Sequence, residues 1–199
     1  DALNPGLRAA VALDFEAARA RVAGGVSGPL AGVPLLVKDL LPYPGLRCAF
    51  GSRLFAGFIA PAGSPFTERL DAAGLVTVGK SAASEFGLLG STETLLEGRT
   101  HNPWGPTLSA AGSSGGAAAA VAAGLVPVAH ANDAGGSIRV PASVTGLFGF
   151  KPSRGRTAPT APPTGAPFER LLSEGCISRS VRDTVAFLTA VSAEPGAFD

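Results

Sequence analysis

Three short segments hold the side chains that could do chemistry in this chain. Lys38 ends the apolar run 33–37, which is typical of a buried strand, and it is one of only three lysines. The segment Gly-Ser-Ser-Gly-Gly (112–116) opens an alanine-rich stretch, and Asp-Ala-Gly-Gly-Ser-Ile-Arg (133–139) follows the apolar run 126–131. Serine hydroxyls and a buried lysine together suit acyl transfer, because the lysine amine can act as the base.

Ser137 is the candidate nucleophile because two glycines precede it. Gly135 and Gly136 permit a backbone geometry in which consecutive N–H groups point at one spot and can bind an oxyanion. A serine hydroxyl is a weak nucleophile that needs a base. Lys38 can supply that base if burial keeps its amine neutral. Structural interpretations remain open at this point: Lys38 can end a strand in solvent, and residues 112–116 can cap a helix.

The two histidines favour neither a metal site nor a serine–histidine triad. His101 and His130 show no metal-ligand spacing, so we expect no metal and no cofactor. A Ser137–His130–Asp133 triad can be written down. However, His130 lies in an apolar run, where a core histidine is the more frequent finding. The sequence leaves the role of His130 open.

Residues 74–81 match the phosphate-loop pattern G-x-x-x-x-G-K-[ST]. A phosphate loop needs a strand before its first glycine and a flexible loop between its glycines. Here a helix pattern precedes Gly74, and the residues between the glycines are typical of a strand. We therefore predict that this segment binds no nucleotide.

Alternating helix and strand patterns must position the three segments. Their order predicts an α/β fold with a mixed or parallel sheet flanked by helices. The predicted helices are 4–22, 66–73, 114–123 and 181–191. The predicted strands are 33–37, 75–78, 126–131 and 148–150, and the predicted loops are 92–108, 132–139 and 157–167.

Composition excludes several classes of protein. The chain has 199 residues, a formal net charge of +1, 46% hydrophobic and 16% charged residues. This balance favours a globular protein that binds neither nucleic acid nor a membrane. Cys48 and Cys176 fit neither a disulfide framework nor a zinc site, which favours the cytoplasm and leaves the role of Cys176 open. Because the chain has no methionine, we expect it to be a piece of a longer protein.

Taken together, the segments resemble the amidase signature family. The strongest matches are Gly-Val-Pro (32–34), Val-Lys-Asp (37–39), Gly-Ser-Ser-Gly-Gly (112–116), Gly-Gly-Ser-Ile-Arg (135–139) followed by Pro141, and Gly-Phe-Lys-Pro (149–152). Weaker matches are Gly-Lys-Ser (79–81), Glu-Phe (85–86), Asn-Pro-Trp (102–104) and Ile-Ser-Arg-Ser-Val (177–181). All of them occur in the family's order, from about residue 30 to residue 183.

The resemblance implies a Ser–cis-Ser–Lys triad. Ser137 matches the nucleophile, Ser113 the bridging serine that takes part in a cis peptide bond, and Lys38 the base. It also implies an oxyanion hole made of four backbone N–H groups, those of Ala134, Gly135, Gly136 and Ser137. Three residues are expected to support the loops: Ser114 through a hydrogen bond, and Asp133 with Arg139 through a salt bridge.

The resemblance further implies an amidohydrolase that cleaves a linear or cyclic carboxamide through an acyl-enzyme. Residues 142–156 are more similar to the 6-aminohexanoate cyclic dimer hydrolase branch than to the A-type subunit of glutamyl-tRNA amidotransferase. The amidotransferase subunit, which releases ammonia from an amide donor, and a non-catalytic binding module are the alternatives. The expected partner is a small-molecule amide, and a homodimer is left open.

Domain organisation follows from the same resemblance. Members of the family carry a helix or two before this region and about as much chain again after it. We therefore expect residues 1–199 to be the incomplete N-terminal part of one amidase-signature domain.

Overall fold

The computed structural model describes residues 2–161, 171–194, 196 and 198. The strands are β1 (Ala10–Leu13), β2 (Pro34–Lys38), β3 (Val76–Ser81), β4 (Glu93–Thr94), β5 (Gly98–Arg99), β6 (His101–Asn102), β7 (Gly105–Ser109), β8 (Val128–Asp133), β9 (Phe148–Gly149) and β10 (Ser173–Ser178). The α-helices are α1 (Asn4–Leu7), α2 (Phe15–Ala23), α3 (Pro65–Ala72), α4 (Gly115–Ala122), α5 (Arg139–Thr145) and α6 (Val181–Ala190). Short 3₁₀ turns cover Arg53–Phe55 and Glu85–Gly87.

Six strands form one mixed sheet in the order β1-β3-β2-β8-β10-β9. The central strands β3, β2 and β8 are parallel, while β1, β10 and β9 pair antiparallel with their neighbours. Helices cover both faces of this sheet, which confirms the predicted class. Because β2 and β8 are parallel neighbours, their carboxyl ends meet at one edge of the sheet. That edge carries Lys38 on β2, and Asn132 and Asp133 on β8.

Two apolar cores lie on the two faces of the sheet. On one face, the fully buried alanines of α4 pack against Leu36 of β2 and Ala129 of β8. On the other face, Phe66 of α3 and Phe187 of α6 pack with Leu35 of β2. Alternate residues of β2 therefore enter opposite cores, as the two-residue period of a strand requires.

Helix α4 approaches the sheet closely because its first turn has no bulky side chains. A Cβ added to Gly116 would lie 2.3 Å from the backbone nitrogen of Ala82 and 2.6 Å from the carbonyl oxygen of Ala9. Gly116 N–H donates to the Ala82 carbonyl at 3.1 Å, so the helix is bonded to the chain that follows β3. This contact sets where the Ser113–Ser114 turn lies.

The predicted helix over 4–22 is wrong. The segment forms α1, β1 and α2 instead, and Arg8, with φ of 51°, ends the first helix. Strand β1 forms because it can pair with the open edge of β3. The Asp14 side chain then starts α2 by accepting a hydrogen bond from Ala17 N at 2.9 Å, a cap that the apolar spacing hides.

Other differences concern short elements. The predicted loop 92–108 contains two small antiparallel sheets, β4–β5 and β6–β7. Asn132 and Asp133 belong to β8 rather than to a loop, and the sequence patterns do not predict α5 or β10. Residues 162–167 of the predicted loop 157–167 lie outside the described residues.

The order of elements around residues 74–81 is the predicted one, a helix followed by a strand, and it differs from the order that a phosphate loop needs. Helix α3 precedes Gly74, and β3 occupies most of the distance between the two glycines and continues through Lys80. Within the described part of the chain, no helix is long and apolar enough to cross a membrane.

Candidate active site

Lys38 lies at the centre of a buried polar cluster. Its side chain is fully buried, and its Nζ lies 2.7 Å from Ser113 Oγ and 2.7 Å from Asn132 Oδ1. An amide oxygen can only accept a hydrogen bond, so Lys38 donates one N–H to Asn132. When the amine is neutral, its lone pair is available to the Ser113 hydroxyl.

Burial lowers the pKa of Lys38 to about 7, although the carboxylates of Glu174 and Asp133 raise it. A lysine in water stays charged well above neutral pH. The site thus holds an amine that is substantially neutral near pH 7, which is the state that can accept a proton. This is the environment that the sequence predicts for a lysine at the end of an apolar strand.

The turn that carries Ser113 and Ser114 is held from several sides. The peptide bond between Gly112 and Ser113 is cis, as the resemblance implies. Thr92 Oγ1 donates to the Ala111 carbonyl at 2.8 Å and accepts from Gly115 N at 3.0 Å, so it spans the turn. Ser114 Oγ donates to the Asn132 carbonyl at 3.4 Å, which ties the turn to the end of β8.

Asp133 organises the loop that carries Ser137. Its fully buried carboxylate accepts from Gly136 N at 2.7 Å, from Ile138 N at 3.1 Å and from the Arg139 guanidinium at 2.9 and 3.0 Å. Burial alone would raise the pKa of Asp133, but Arg139 and the backbone donors outweigh it and lower the pKa to about 2. The ion pair expected between Asp133 and Arg139 is present.

The backbone donors around Ser137 fall into two groups. Gly136 has φ of 128°, a conformation suited to glycine, and its N–H already has an acceptor in Asp133. The N–H groups of Ala134, Gly135 and Ser137 have no acceptor among the described residues. Ala134 and Gly135 are exposed and Ser137 is half-buried, so a ligand can reach this loop.

The structure brings Lys38 and Ser113 into contact, and Ser137 follows on the neighbouring loop after β8. Within the described residues, no hydrogen bond joins the Ser137 side chain to Ser113 or Lys38. Catalytic hydrogen bonds in ligand-free enzymes are often made only when substrate binds. The arrangement therefore offers a buried base, a hydroxyl in contact with it and an accessible serine on an adjacent loop.

Comparison with known proteins identifies the family. The sequence profile described as Amidase matches residues 2–196, almost the whole chain. The chain belongs to the amidase family. This membership confirms the resemblance carried by the three segments.

Relatives of this chain include two kinds of enzyme. The 6-aminohexanoate-cyclic-dimer hydrolase of Paenarthrobacter ureafaciens is 44% identical over 195 residues, which are 96% of this chain and 39% of the relative. The A-type subunit of the glutamyl-tRNA(Gln) amidotransferase of Azoarcus sp. (strain BH72) is 45% identical over 159 residues, which are 76% of this chain and 33% of that protein.

Similar solved structures include members of both groups. A 6-aminohexanoate cyclic dimer hydrolase complexed with substrate has a TM-score of 0.92 and 42% identity, over 98% of this chain and 42% of the other. The A-type amidotransferase subunit from Thermotoga maritima has a TM-score of 0.83 and 30% identity, with the same coverage. This chain spans less than half the length of these relatives.

The Ser137–His130–Asp133 triad is not formed in this chain. His130 is fully buried, and its Nδ1 accepts from the Lys38 backbone N–H at 3.2 Å while its Nε2 lies 2.8 Å from Glu174 Oε2. Both ring nitrogens are thus occupied away from Ser137. Burial lowers the pKa of His130, against the opposing effect of Glu174.

Sequence reasoning misses three residues that support the site. Asn132 falls in a predicted loop, although it is the last but one residue of β8 and contacts Lys38. Glu174 could not be found because β10 is not predicted, and Thr92 lies in a segment predicted as a loop. A polar residue directly before Asp133, at the end of a buried strand, is the one available signal for Asn132.

Lys80 and Trp104 make contacts outside the cluster around Lys38. Lys80 is fully buried and donates to the Leu41 carbonyl, and its Nζ lies 3.6 Å from Cys48 Sγ. Trp104 is 71% exposed, and its Nε1 donates to the Thr145 carbonyl at 2.7 Å. Among the described residues, no group of three or more histidine, cysteine or acidic side chains could hold a metal ion.

Proposed function

We propose that this chain forms the catalytic part of an amidohydrolase that cleaves a carboxamide C–N bond through an acyl-enzyme on Ser137. The observation that carries the proposal is the 2.7 Å contact between Lys38 Nζ and Ser113 Oγ in a fully buried cluster. A lysine whose pKa is lowered to about 7 can act as a general base near neutral pH.

In the proposed reaction, protons move along a relay while the acyl group changes partners. Neutral Lys38 takes the Ser113 proton, Ser113 takes the Ser137 proton, and Ser137 Oγ bonds to the amide carbonyl carbon. The C–N bond then breaks as Ser113 gives a proton to the leaving nitrogen and takes one back from Lys38, which leaves the amine neutral again. Water finally attacks the ester carbonyl and releases the carboxylic acid, which restores Ser137 and leaves the amine as the other product.

Charge on the tetrahedral intermediate would be held by backbone N–H groups. Those of Ala134, Gly135 and Ser137 have no acceptor among the described residues, whereas Gly136 N–H is engaged by Asp133. A well-placed donor in an oxyanion hole contributes roughly 3–4 kcal/mol to catalysis. Asp133 and Arg139 would act by holding this loop in place.

The substrate class we propose is a linear or cyclic aliphatic amide. The basis is similarity to the 6-aminohexanoate-cyclic-dimer hydrolases, which extends over 96% of this chain. We propose that the enzyme is cytoplasmic and that its partner is the small-molecule amide substrate, with no nucleic acid and no membrane. A homodimer remains a hypothesis.

The test is covalent labelling of the full-length protein with a fluorophosphonate, followed by intact-mass spectrometry and peptide mapping. We expect one adduct, on Ser137. The adduct should be lost in Ser137→Ala, and its formation should slow at least 100-fold in Lys38→Met. Ser143→Ala, an exposed serine on α5, is the matched control and should label normally. A folded protein that takes up no label would overturn the catalytic proposal and leave a binding module.

The amidotransferase subunit is a second candidate, favoured by the 45% identity to the Azoarcus protein. The two candidates differ in their amide donor. Incubation of the labelling-competent protein with glutamine and, separately, with the 6-aminohexanoate cyclic dimer distinguishes them. Ammonia release from glutamine alone supports the amidotransferase, and ring opening of the dimer supports the hydrolase.

A further inference from the structure

Lys38 is held on the side away from Ser113 by groups that the proposed relay does not use. Asn132 Oδ1 lies 2.7 Å from Lys38 Nζ, and the backbone N–H of Lys38 donates to His130 Nδ1 at 3.2 Å. His130 in turn contacts Glu174 Oε2 through Nε2 at 2.8 Å. All of these side chains are at least nine-tenths buried.

The contacts of His130 determine where its proton lies. Because Nδ1 accepts from the Lys38 N–H, it carries no hydrogen, so the ring is neutral and its hydrogen is on Nε2. The Nε2–H then donates to Glu174. The Phe66 ring packs against the imidazole with centroids 5.2 Å apart and the two planes tilted by 56°, which restricts rotation of the His130 ring. Glu174, His130 and the backbone of Lys38 therefore form one directed chain of hydrogen bonds.

Asn132 constrains the amine itself. Its Oδ1 can only accept, so one N–H of Lys38 points at Asn132 whether the amine is neutral or charged. This orientation leaves the remaining face of Nζ towards Ser113 Oγ, also 2.7 Å away. A longer or shorter side chain at 132 would lose this constraint.

We propose that Asn132 and the His130–Glu174 pair are positioning residues for Lys38, and that the negative charge of the buried Glu174 carboxylate moves the pH range in which Lys38 can accept a proton upwards. The inference rests on the proposed function, because it concerns the base of that reaction. Glu174 acts through charge and through His130, without contact to substrate.

Few charged side chains face Lys38 from the strands that pack around it. Glu174 on β10 and Asp133 on β8 both favour its charged form. The Asp133 charge is already compensated by the Arg139 guanidinium, whereas Glu174 is bonded only to a neutral imidazole among the described residues. On β3, Ser81 is in register with Lys38, and Lys80 pairs with Val37 instead. Glu174 is thus the carboxylate whose removal should matter most.

The two directions of charge change give opposite expectations. Glu174→Gln removes a negative charge while its amide oxygen can still accept from His130, so protonated Lys38 becomes less stable. Asn132→Asp adds a negative charge beside Nζ, so protonated Lys38 becomes more stable. On the acid limb of the pH–rate profile, the rate rises with pH as Lys38 loses its proton. This limb should move to lower pH in Glu174→Gln and to higher pH in Asn132→Asp, by roughly half a pH unit or more.

The experiment measures the rate of fluorophosphonate labelling of Ser137 in the full-length protein. The pH is varied from about 5 to about 9, a range that includes the acid limb of the pH–rate profile. Glu68→Gln, the same substitution at an exposed position of α3, is the control and should keep the wild-type limb. Glu174→Asp retains the charge and should also keep it, at a reduced rate. A purely structural role would lower the rate equally at every pH.

The outcomes separate this inference from the proposed function. A wild-type protein that never labels refutes the proposed function. If the wild type labels, the positions of the acid limbs in the two variants decide the positioning role. Limbs in Glu174→Gln and Asn132→Asp that stay at the wild-type pH, or that move in the same direction, overturn it. If circular dichroism shows that neither variant at 174 folds, Asn132→Asp decides alone, because the inference requires its limb to move to higher pH.

Discussion

Asp133 holds the loop around Ser137 through five hydrogen bonds, to backbone donors on both sides of the serine and to the Arg139 guanidinium. The carboxylate is fully buried, so each of these donors replaces a water molecule that it would bind in the unfolded chain. One side chain thereby fixes the backbone from 136 to 139.

Replacing Asp133 by Asn should destabilise the folded protein in a pH-dependent way. The pKa of Asp133 is about 2 in the folded chain, below its ordinary value of 3.8, which corresponds to about 2 kcal/mol of stability above pH 4. Because the folded-state pKa is depressed, this contribution should be lost as the pH falls from about 4 towards 2. The difference in unfolding free energy between wild type and Asp133→Asn, measured by urea denaturation, should therefore narrow in acid.

Asp183→Asn is the matched control for that measurement. Asp183 is 41% exposed and pairs with an exposed arginine, so its loss should cost less than half as much. A difference in unfolding free energy between wild type and Asp133→Asn that stays constant from about pH 5 to about pH 2 would contradict the assigned ion pair.

At the residue scale, the sequence is sufficient for groups that lie inside contiguous motifs. Lys38 and Asp133 can be found because they lie at strand ends, and Ser113 because it follows a glycine. Arg139 can be found because it closes the Gly-Gly-Ser-Ile-Arg motif (135–139). Glu174 cannot, because its role depends on β10 lying beside β8, a contact between positions 44 residues apart.

Among the elements, α4 shows how a helix can depend on glycine. Substituting Ala for Gly116 would improve helix propensity by about 1 kcal/mol. However, the added Cβ would lie 2.3 Å from Ala82 N and 2.6 Å from Ala9 O, both of them backbone atoms that cannot turn aside. We expect Gly116→Ala to lower the free energy of unfolding by roughly 2–3 kcal/mol or more, because overpacking outweighs propensity.

Gly24→Ala is the control for that helix experiment. Gly24 ends α2 with φ of −73°, and a Cβ there would meet nothing closer than 3.5 Å. Its substitution should be neutral or stabilising by up to about 1 kcal/mol. Equal stability of the two variants in thermal and urea unfolding would contradict the close approach of α4 to the sheet.

The elements also show what periodicity can and cannot predict. Helices α3, α4 and α6 are predictable because their patterns end at glycine or begin at a cap. Strand β1 is not, because four residues are too few to distinguish a two-residue period from a helical one. Its state is decided by pairing with β3, which no local pattern contains.

For the whole molecule, the class of fold and the family are predictable while the strand order is not. The ordered motifs carry the family, and the profile match over residues 2–196 agrees with them. The order β1-β3-β2-β8-β10-β9 depends on which strands meet over long distances in sequence. That the chain is part of one larger amidase domain remains a prediction, in keeping with its coverage of less than half of the relatives.

The two cysteines allow the cooperativity of this sheet to be measured. Cys176 lies at the middle of β10 and Cys48 lies in the segment between β2 and α3, and both are free and fully buried. Burial raises the pKa of Cys176 to about 12 and also raises that of Cys48. Since the thiolate is the reactive form, neither should react in the folded protein.

The measurement uses iodoacetamide at about pH 8, just below the ordinary thiol pKa. We expect both cysteine-containing peptides to stay unmodified in the native full-length protein and to be modified in concentrated urea. If the sheet opens as one unit, both should become reactive at the urea concentration where circular dichroism reports unfolding. Rapid labelling of Cys176 in native buffer would contradict its place between β8 and α6. Labelling of Cys48 at lower urea than Cys176 would mean that the segment around Cys48 opens before the sheet, so that Lys80 loses its buried partner while Lys38 keeps its own.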